Sequence, residues 1–304
     1  MTIGWYPGHM HKARKDITQA LQQVDAVIEI VDARLPYASE NPLLNTLIGN
    51  KPRLRILNKA DLADPHNARL WLTHYRALGI DCVLFDKEDQ ATLRAILPRL
   101  VAQVPERSKR ARRLMIVGIP NVGKSTLINL LAGRKIARVG NEPAVTKARQ
   151  EIRLTEDLVL LDTPGILWPR LDDQAAAYRL AISGAIRNTA VELADVGLAA
   201  ITLIQQRYPQ ALRDRYQVEP EGEEPVHLLE AIGRKRGALV RGGVDFTKAG
   251  EIVLNDLRSG KLGRISLELP ADIPPPEPAE PSASEESNET AVQHAPDQDD
   301  QRRE

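Results

Sequence analysis

The 304-residue chain has one cysteine, Cys82. A single thiol excludes an internal disulfide and any cysteine-rich metal site, and it fits a reducing compartment. Cys82 itself stands in the apolar run Cys82-Val83-Leu84-Phe85 and reads as a small buried hydrophobe. The sequence also lacks any run of about 18 apolar residues, so no membrane span is expected. Its first ten residues lack an apolar core beside a small-residue cleavage site, so no secretory signal is expected and the cytoplasm is the expected location. There is no internal repeat. Net charge is absent as well, with 41 Lys+Arg against 41 Asp+Glu. That zero hides a division: from Ala271 to Glu304, ten acidic residues face two Arg, a charge of −8, leaving 39 basic and 31 acidic groups, or +8, on residues 1–270. A basic body favours a polyanionic partner such as RNA through phosphate contacts, with a solvated basic face as the competing reading.

With 42% hydrophobic and 27% charged residues, the composition is that of a globular protein, and the length suits two domains of ordinary size. Ile17, Leu21 and Val24 lie at helical spacing between Met10 and Val24. Apolar runs at Ala26–Val31, Arg53–Leu57 and Cys82–Phe85 then predict buried strands separated by helical segments. A polar, basic connector from Val104 to Arg113 leads into a fourth strand, Leu114–Val117, and a helix beginning near Lys124. Two adjacent strands, Gln150–Leu154 and Leu158–Leu161, are expected to be joined by a Glu156-Asp157 turn. Beyond Asp172 helical pattern takes over, at Gln174–Ile186, Val191–Gln206, Val226–Lys235 and Thr247–Leu257. The expected architecture is therefore α/β: a mostly parallel sheet with flanking helices over residues 1–171, an all-helical domain over 172–270, and a tail over 271–304. That tail is too rich in Pro, Glu, Ser and Asp to repay the entropy of ordering, so it is expected to be disordered.

Gly118-Ile119-Pro120-Asn121-Val122-Gly123-Lys124-Ser125 matches G-x-x-x-x-G-K-[ST], placed between an apolar strand and a helix. In that setting, backbone N–H groups and the positive helix end face phosphate. Residues 121 to 126, Asn121, Val122, Gly123, Lys124, Ser125 and Thr126, are thus expected to cradle a triphosphate. The Lys124 amine should reach the β and γ phosphates and the Ser125 hydroxyl should ligate Mg²⁺. Asp162-Thr163-Pro164-Gly165, at a strand end, supplies a carboxylate that can hold Mg²⁺ through water, while the Gly165 N–H meets the γ phosphate. Thr146, between these two motifs, is the natural switch threonine for the Mg²⁺ shell. Asn58-Lys59-Ala60-Asp61 follows the second strand as N-K-x-D, and the Asp61 carboxylate can accept from the N1 and N2 donors of guanine, which adenine does not offer. Together the motifs predict a site for GTP.

In the usual order the phosphate loop precedes N-K-x-D, but here Asn58 precedes Gly118 by 60 positions. The fold is therefore expected to be circularly permuted, with the old termini joined by the Val104–Arg113 connector. The cut then leaves the D-T-P-G segment attached to the helical region, so nucleotide state has a route into it. At this point the chain resembles the YlqF/RbgA family of circularly permuted GTPases. The resemblance rests on the permuted motifs and on Trp5-Tyr6-Pro7-Gly8-His9-Met10, Val31-Asp32-Ala33-Arg34, Asp162–Pro169 and Gly260–Ile265. It implies GTP hydrolysis coupled to a late step in maturation of the large (50S) ribosomal subunit. Its implied partners are the rRNA and ribosomal proteins of the subunit precursor, with the protein monomeric off the ribosome. Where the family has a small polar guanine-contacting loop this chain has Phe85-Asp86-Lys87-Glu88, so base contacts at Asp86 and Lys87 follow by position.

Many GTPases follow D-x-x-G with a glutamine that orients the attacking water; position 166 is isoleucine, which makes no hydrogen bond. The resemblance points instead to His9 as the catalytic residue, with a helix-start or RNA contact as its alternative and His11 as the nearest competitor. The Asn121 side-chain oxygen is a candidate ligand for K⁺ bridging the phosphates, or else Asn121 tolerates an unusual backbone angle. In the helical region, Leu228, Leu229, Ile232 and Leu239 set an apolar side against Arg234, Lys235, Arg236 and Arg241, with Lys261 and Arg264 further on. This cationic side is the candidate RNA-binding surface. Two rival readings remain open: a GTP-dependent RNA-binding switch with little turnover, and a GTPase acting on another RNA particle.

Overall fold

Branched apolar runs form the strands β1 (Ala26–Asp32), β2 (Arg53–Asn58), β3 (Cys82–Leu84), β4 (Arg112–Gly118), β5 (Gln150–Thr155) and β6 (Leu158–Asp162). They make one six-stranded sheet in the order β3-β2-β1-β4-β6-β5. All neighbours are parallel except β5, which returns antiparallel on β6. The computed structural model describes residues 15, 17–105, 110–137, 150–163 and 173–273. By contacts the chain separates into units Met1–Asp272 and Ile273–Glu304, and the elements described here belong to the first. The expected tail lies, beyond residue 273, outside the described residues.

The sheet is covered on both faces, as its continuous apolar strands require. Residues 17–21 are helical (α1), followed by α2 (Pro36–Ser39), α3 (Pro42–Leu47), α4 (Pro65–Ala77), α5 (Gln90–Val101) and α6 (Lys124–Ala132). Alternation along the strands divides the core. Ile28, Ile30, Ile56, Leu114, Ile116 and Leu160 join one cluster with Ile96, Leu100 and Leu127 of α5 and α6. Val27, Met115, Val117 and Leu161 join the other with Ile17, Leu21 and Leu44. Glu29, at the middle of β1, is a buried charge with a partner on the next strand. It sits opposite Arg55 of β2 in the register, and the Arg55 Nε–H donates to it at 2.8 Å. The Arg55 guanidinium also donates to Glu40 at 2.9 Å and lies 4.3 Å from the centre of the Tyr75 ring. Arg112 and Arg113 belong to β4 rather than to the connector, because pairing with Leu158 and Val159 extends the strand to the Glu156-Asp157 turn.

The later region contains α7 (Gln174–Ser183), α8 (Leu193–Arg207), α9 (Pro209–Tyr216), α10 (Pro225–Lys235) and α11 (Phe246–Arg258). It also holds a small hairpin of β7 (Leu239–Val240) with β8 (Gly243–Val244), absent from the helical pattern in the sequence. Arg241 therefore sits in the hairpin turn and not on a helix with Arg234. The chain leaves the helix because Gly237 adopts φ +73° beyond the Arg236 cap. Helices α8 and α11 approach closely at Gly197 and Gly250. A Cβ on Gly250 would lie 2.3 Å from the Leu193 carbonyl oxygen, which is backbone and cannot swing aside. Gly250→Ala is accordingly expected to destabilise the fold by about 1–3 kcal/mol, read as a lower midpoint in thermal or urea unfolding.

A final strap, Gly260–Leu269, returns to the sheet's functional end. The Ile265 N–H donates to the Leu62 carbonyl at 2.9 Å and the Leu267 N–H to the Arg34 carbonyl at 2.7 Å. The Trp71 indole N–H donates to the Glu268 carbonyl at 3.2 Å. The Glu268 carboxylate accepts from the Tyr37 and Ala38 N–H groups at 2.5 and 3.1 Å, and burial, opposed by the Arg179 charge, pushes it up to about 8.

Candidate functional site

The chain runs outward from β1 to β3, then crosses back to lay β4 on the other side of β1. In open α/β sheets such a switch in strand order leaves a crevice at the carboxyl ends of the strands. The motifs converge there: Asp32 ends β1, Asn58 ends β2, Gly118 ends β4 and Asp162 ends β6. Their separation in sequence disappears because β2 and β4 both pair with β1.

The phosphate loop is held shut from both sides. The Asn58 side-chain amide donates to the Val122 carbonyl at 2.6 Å, fastening the guanine motif to the loop. Gly123, at φ +102°, leaves no room for a side chain, since a Cβ would fall 2.2 Å from Asn58 Nδ2. At Gly118 a Cβ would meet the Ile30 carbonyl oxygen at 2.6 Å, so only glycine lets the loop leave β4 against β1. Asn121 adopts φ +58°, and its side-chain amide donates to the Gly184 carbonyl at 2.8 Å. Ser125 and Thr126 occupy the first turn of α6, half-buried.

Lys124 and Asp162 face each other electrostatically in this pocket of backbone. The Lys124 ammonium donates to the Gly118 and Ile119 carbonyls at 3.0 and 3.2 Å. Burial pulls it down to about 8, opposed by the Asp162 charge. Burial pushes Asp162 up to about 6, opposed by the Lys124 charge. Both Asp162 carboxylate oxygens are buried and accept no hydrogen bond among the described residues. A buried, orphaned carboxylate suits a hard, oxygen-preferring divalent cation, and the Ser125 hydroxyl is a further oxygen donor, so the residues present fit Mg²⁺. Thr163 is committed elsewhere, its hydroxyl donating to the Ile116 carbonyl at 2.7 Å.

In the guanine motif, Asp61 is exposed at the crevice while its neighbours are fixed. Lys59, at φ +61°, donates to Asp32 at 3.0 Å. Arg34 reaches the same carboxylate with Nε at 2.9 Å and a terminal nitrogen at 2.8 Å, and its backbone N–H adds a third bond at 3.1 Å. Burial alone would raise Asp32, but the Arg34 and Lys59 charges hold it well below the usual carboxylate range. The sequence had singled out Asp32 and Arg34 only as family signature. An aspartate at the end of a fully buried strand is the signal that marks them as a clamp for Lys59.

The Ala60 N–H donates to the Phe85 carbonyl at 3.1 Å, which brings the Asp86 and Lys87 turn beside the guanine motif. The Asp86 carboxylate, however, accepts from its own turn, from Glu88 N–H at 2.8 Å and Asp89 N–H at 3.1 Å, and Lys87 is exposed beside Glu88. His9, Thr146 and Gly165 lie outside the described residues. Much of the expected RNA-facing charge is engaged locally: Arg234 with Glu230, Lys235 with the Gln217 carbonyl, and Arg236 with the Arg215 carbonyl and the Tyr216 ring. Lys261 stands 3.7 Å from Asp256. Arg241 and Arg264 are exposed and have no salt bridge among the described residues.

Comparison with known proteins agrees with this geometry. Residues 14–171 match the family model described as RsgA GTPase, and residues 113–230 match the model described as 50S ribosome-binding GTPase. The chain is 43% identical over 287 residues to ribosome biogenesis GTPase A of Priestia megaterium, covering 91% of this chain and all of that one. The enzyme of the same name from Thermotoga maritima is 32% identical, over 90% of this chain and 97% of its own. The solved structure of GNP-bound YlqF from T. maritima superposes with a TM-score of 0.64 at 28% identity, covering 86% of this chain and all of that one.

Proposed function

The chain belongs to the ribosome biogenesis GTPase A (YlqF/RbgA) family and hydrolyses GTP as a ribosome assembly factor; from that premise we propose that it acts in the cytoplasm, as a monomer off the ribosome, on a late precursor of the large subunit. The observation that carries the site's role is the Lys124 and Asp162 pair. Between about pH 6 and 8 both are charged, and burial opposes both charges. Each therefore gains from an incoming opposite charge, the triphosphate for Lys124 and a divalent cation for Asp162. Ser125 and Thr146, with Asp162 through water, would hold Mg²⁺, which would supply neutralising charge to the β and γ phosphates. The loop N–H groups from Asn121 to Thr126 and the Gly165 N–H orient the phosphates, while Asp61 selects guanine and Asp86 and Lys87 border the base.

Ile166 offers no hydrogen bond to water, so in our reading the His9 imidazole orients the attacking water, and the Asn121 side chain contributes to a K⁺ site. Residues 1–171 perform the hydrolysis and residues 172–270 bind rRNA. Among the cations, Arg241 and Arg264 are the most available for phosphate, with Lys261, Arg234, Lys235 and Arg236 exchanging their local partners on contact. No helix among the described residues is long and apolar enough to cross a membrane.

Phosphate release tests this reading. With GTP alone turnover is expected to be slow, and purified large subunits should accelerate it in KCl more than in NaCl at equal ionic strength. His9→Ala should lower the stimulated rate by on the order of 100-fold while nucleotide binding persists. Acceleration by small subunits or by free RNA in place of large subunits would assign the protein to another particle. Equal rates in the two salts would remove K⁺, and an unchanged His9→Ala rate would remove His9.

A further inference from the structure

Arg258, in the last turn of α11, is a half-buried cation whose hydrogen-bond partners are oxygens of uncharged groups. Its Nε–H donates to the Ile182 carbonyl at 2.9 Å and one terminal nitrogen to the Ala181 carbonyl at 2.7 Å. The other donates to the Asn188 side-chain oxygen at 3.1 Å. Burial and the like charge of Arg34, opposed by the Glu251 charge, pull the guanidinium down to about 10. A partly desolvated cation with no carboxylate among its hydrogen-bond partners is a poor device for stability. Its planar fork, however, suits the end of a helix, where the last carbonyls have no intrahelical partner.

The turn it holds is the one that touches the phosphate loop. Helix α7 ends at Gly184, φ +85°, where the Gly184 N–H returns to the Ala181 carbonyl at 3.1 Å and the Ala185 N–H to the Leu180 carbonyl at 3.0 Å. A Cβ on Gly184 would lie 3.1 Å from Arg258 Nε, so the guanidinium lies directly against this glycine. The Gly184 carbonyl then accepts the Asn121 amide at 2.8 Å. Arg258, the α7 terminus and Asn121 thus form one continuous path from α11 to the phosphate loop.

We propose that Arg258 is a positioning residue for GTP binding: it fixes the α7 terminal turn so that the Gly184 carbonyl holds Asn121, and so links the seating of α11 to the phosphate loop. The proposal rests on the reading of Asn121 as part of the nucleotide site. By linkage, whatever displaces α11 weakens nucleotide binding, and bound nucleotide tightens the α7 terminus in return.

The test is a double-mutant cycle on the full chain, read as affinity for a fluorescent non-hydrolysable GTP analogue. Arg258→Lys keeps the charge but loses the fork, and is expected to weaken binding roughly fivefold or more. In an Asn121→Ser background the same change should add less than twofold, while its effect on the thermal midpoint is equal in both backgrounds. An equal affinity loss in both backgrounds, or none in either, overturns the relay. An Asn121→Ser protein with wild-type affinity also overturns it, yet leaves the GTPase reading intact, since that reading fails only if the wild-type chain does not bind GTP. A second measurement needs no Arg258 variant. The analogue should slow amide exchange at 181–185 and 255–259 in the wild type but not in Asn121→Ser, and unchanged exchange in the wild type counts against the proposal.

Discussion

Asp61→Asn is expected to lower GTP affinity by about two orders of magnitude or more and to raise affinity for xanthosine triphosphate. In the proposed site the Asp61 carboxylate would accept from two guanine donors, N1–H and the N2 amine. An asparagine keeps one acceptor and turns an amide donor toward the second, leaving donor against donor. Sites built around buried hydrogen bonds reject such a mismatch by roughly 10⁴-fold. Xanthine carries a carbonyl at that carbon, so the new amide finds an acceptor. The fold should tolerate the change, because Asp61 is exposed, whereas Asn58 and Lys59 are fastened to Val122 and Asp32. Titration of both nucleotides by calorimetry checks it. A variant that still prefers GTP would show that Asp61 does not meet the base.

Asp162→Asn is expected to act in opposite directions on the empty and the loaded protein. Burial raises the folded pKa of Asp162 to about 6 from its ordinary 3.8. A group with a raised folded pKa contributes stability that is full below pH 4 and is lost as pH rises through 6. At pH 8 the ionised, orphaned carboxylate is therefore a cost of about 2–3 kcal/mol, with its attraction to Lys124 already included. Asparagine removes that cost. The nucleotide-free variant should melt about 2 °C or more above the wild type at pH 8, and the gap should close near pH 4. With Mg²⁺ and a GTP analogue the order should reverse, because the variant no longer offers the cation a charge, and turnover should fall by at least about 100-fold. An apo variant less stable at pH 8 would mean that the Lys124 attraction outweighs burial.

Legibility followed the range of the physics. The phosphate loop was readable because its glycines, lysine and serine act within eight consecutive residues. Strand positions were readable because burial on both faces leaves continuous apolar runs, as in β1, β4 and β6. Boundaries set by long-range pairing were less so: Arg112 and Arg113 looked like connector until β6 paired with them. Helix α9, short and polar, and the β7–β8 hairpin, with two residues in each strand, carried too little periodicity to announce themselves. Cationic residues were visible as a group, but which were free was not. Arg234 is engaged by Glu230 one helical turn away, whereas Arg236 finds the Arg215 carbonyl and the Tyr216 ring across the fold.

By itself the sequence determined the nucleotide, the permuted order of its motifs and the alternation of strand and helix, because each depends on residue type and local spacing. Only the tertiary structure decided how these parts act as one site. Asp32 became a clamp when β2 delivered Lys59 to it. The strap from Gly260 to Leu269 became a brace for the guanine motif when Ile265 bonded Leu62. Arg258 reached the phosphate loop only through the end of α7. Such contacts join residues tens to hundreds of positions apart, and no periodicity or spacing along a chain records which of its buried polar groups will meet.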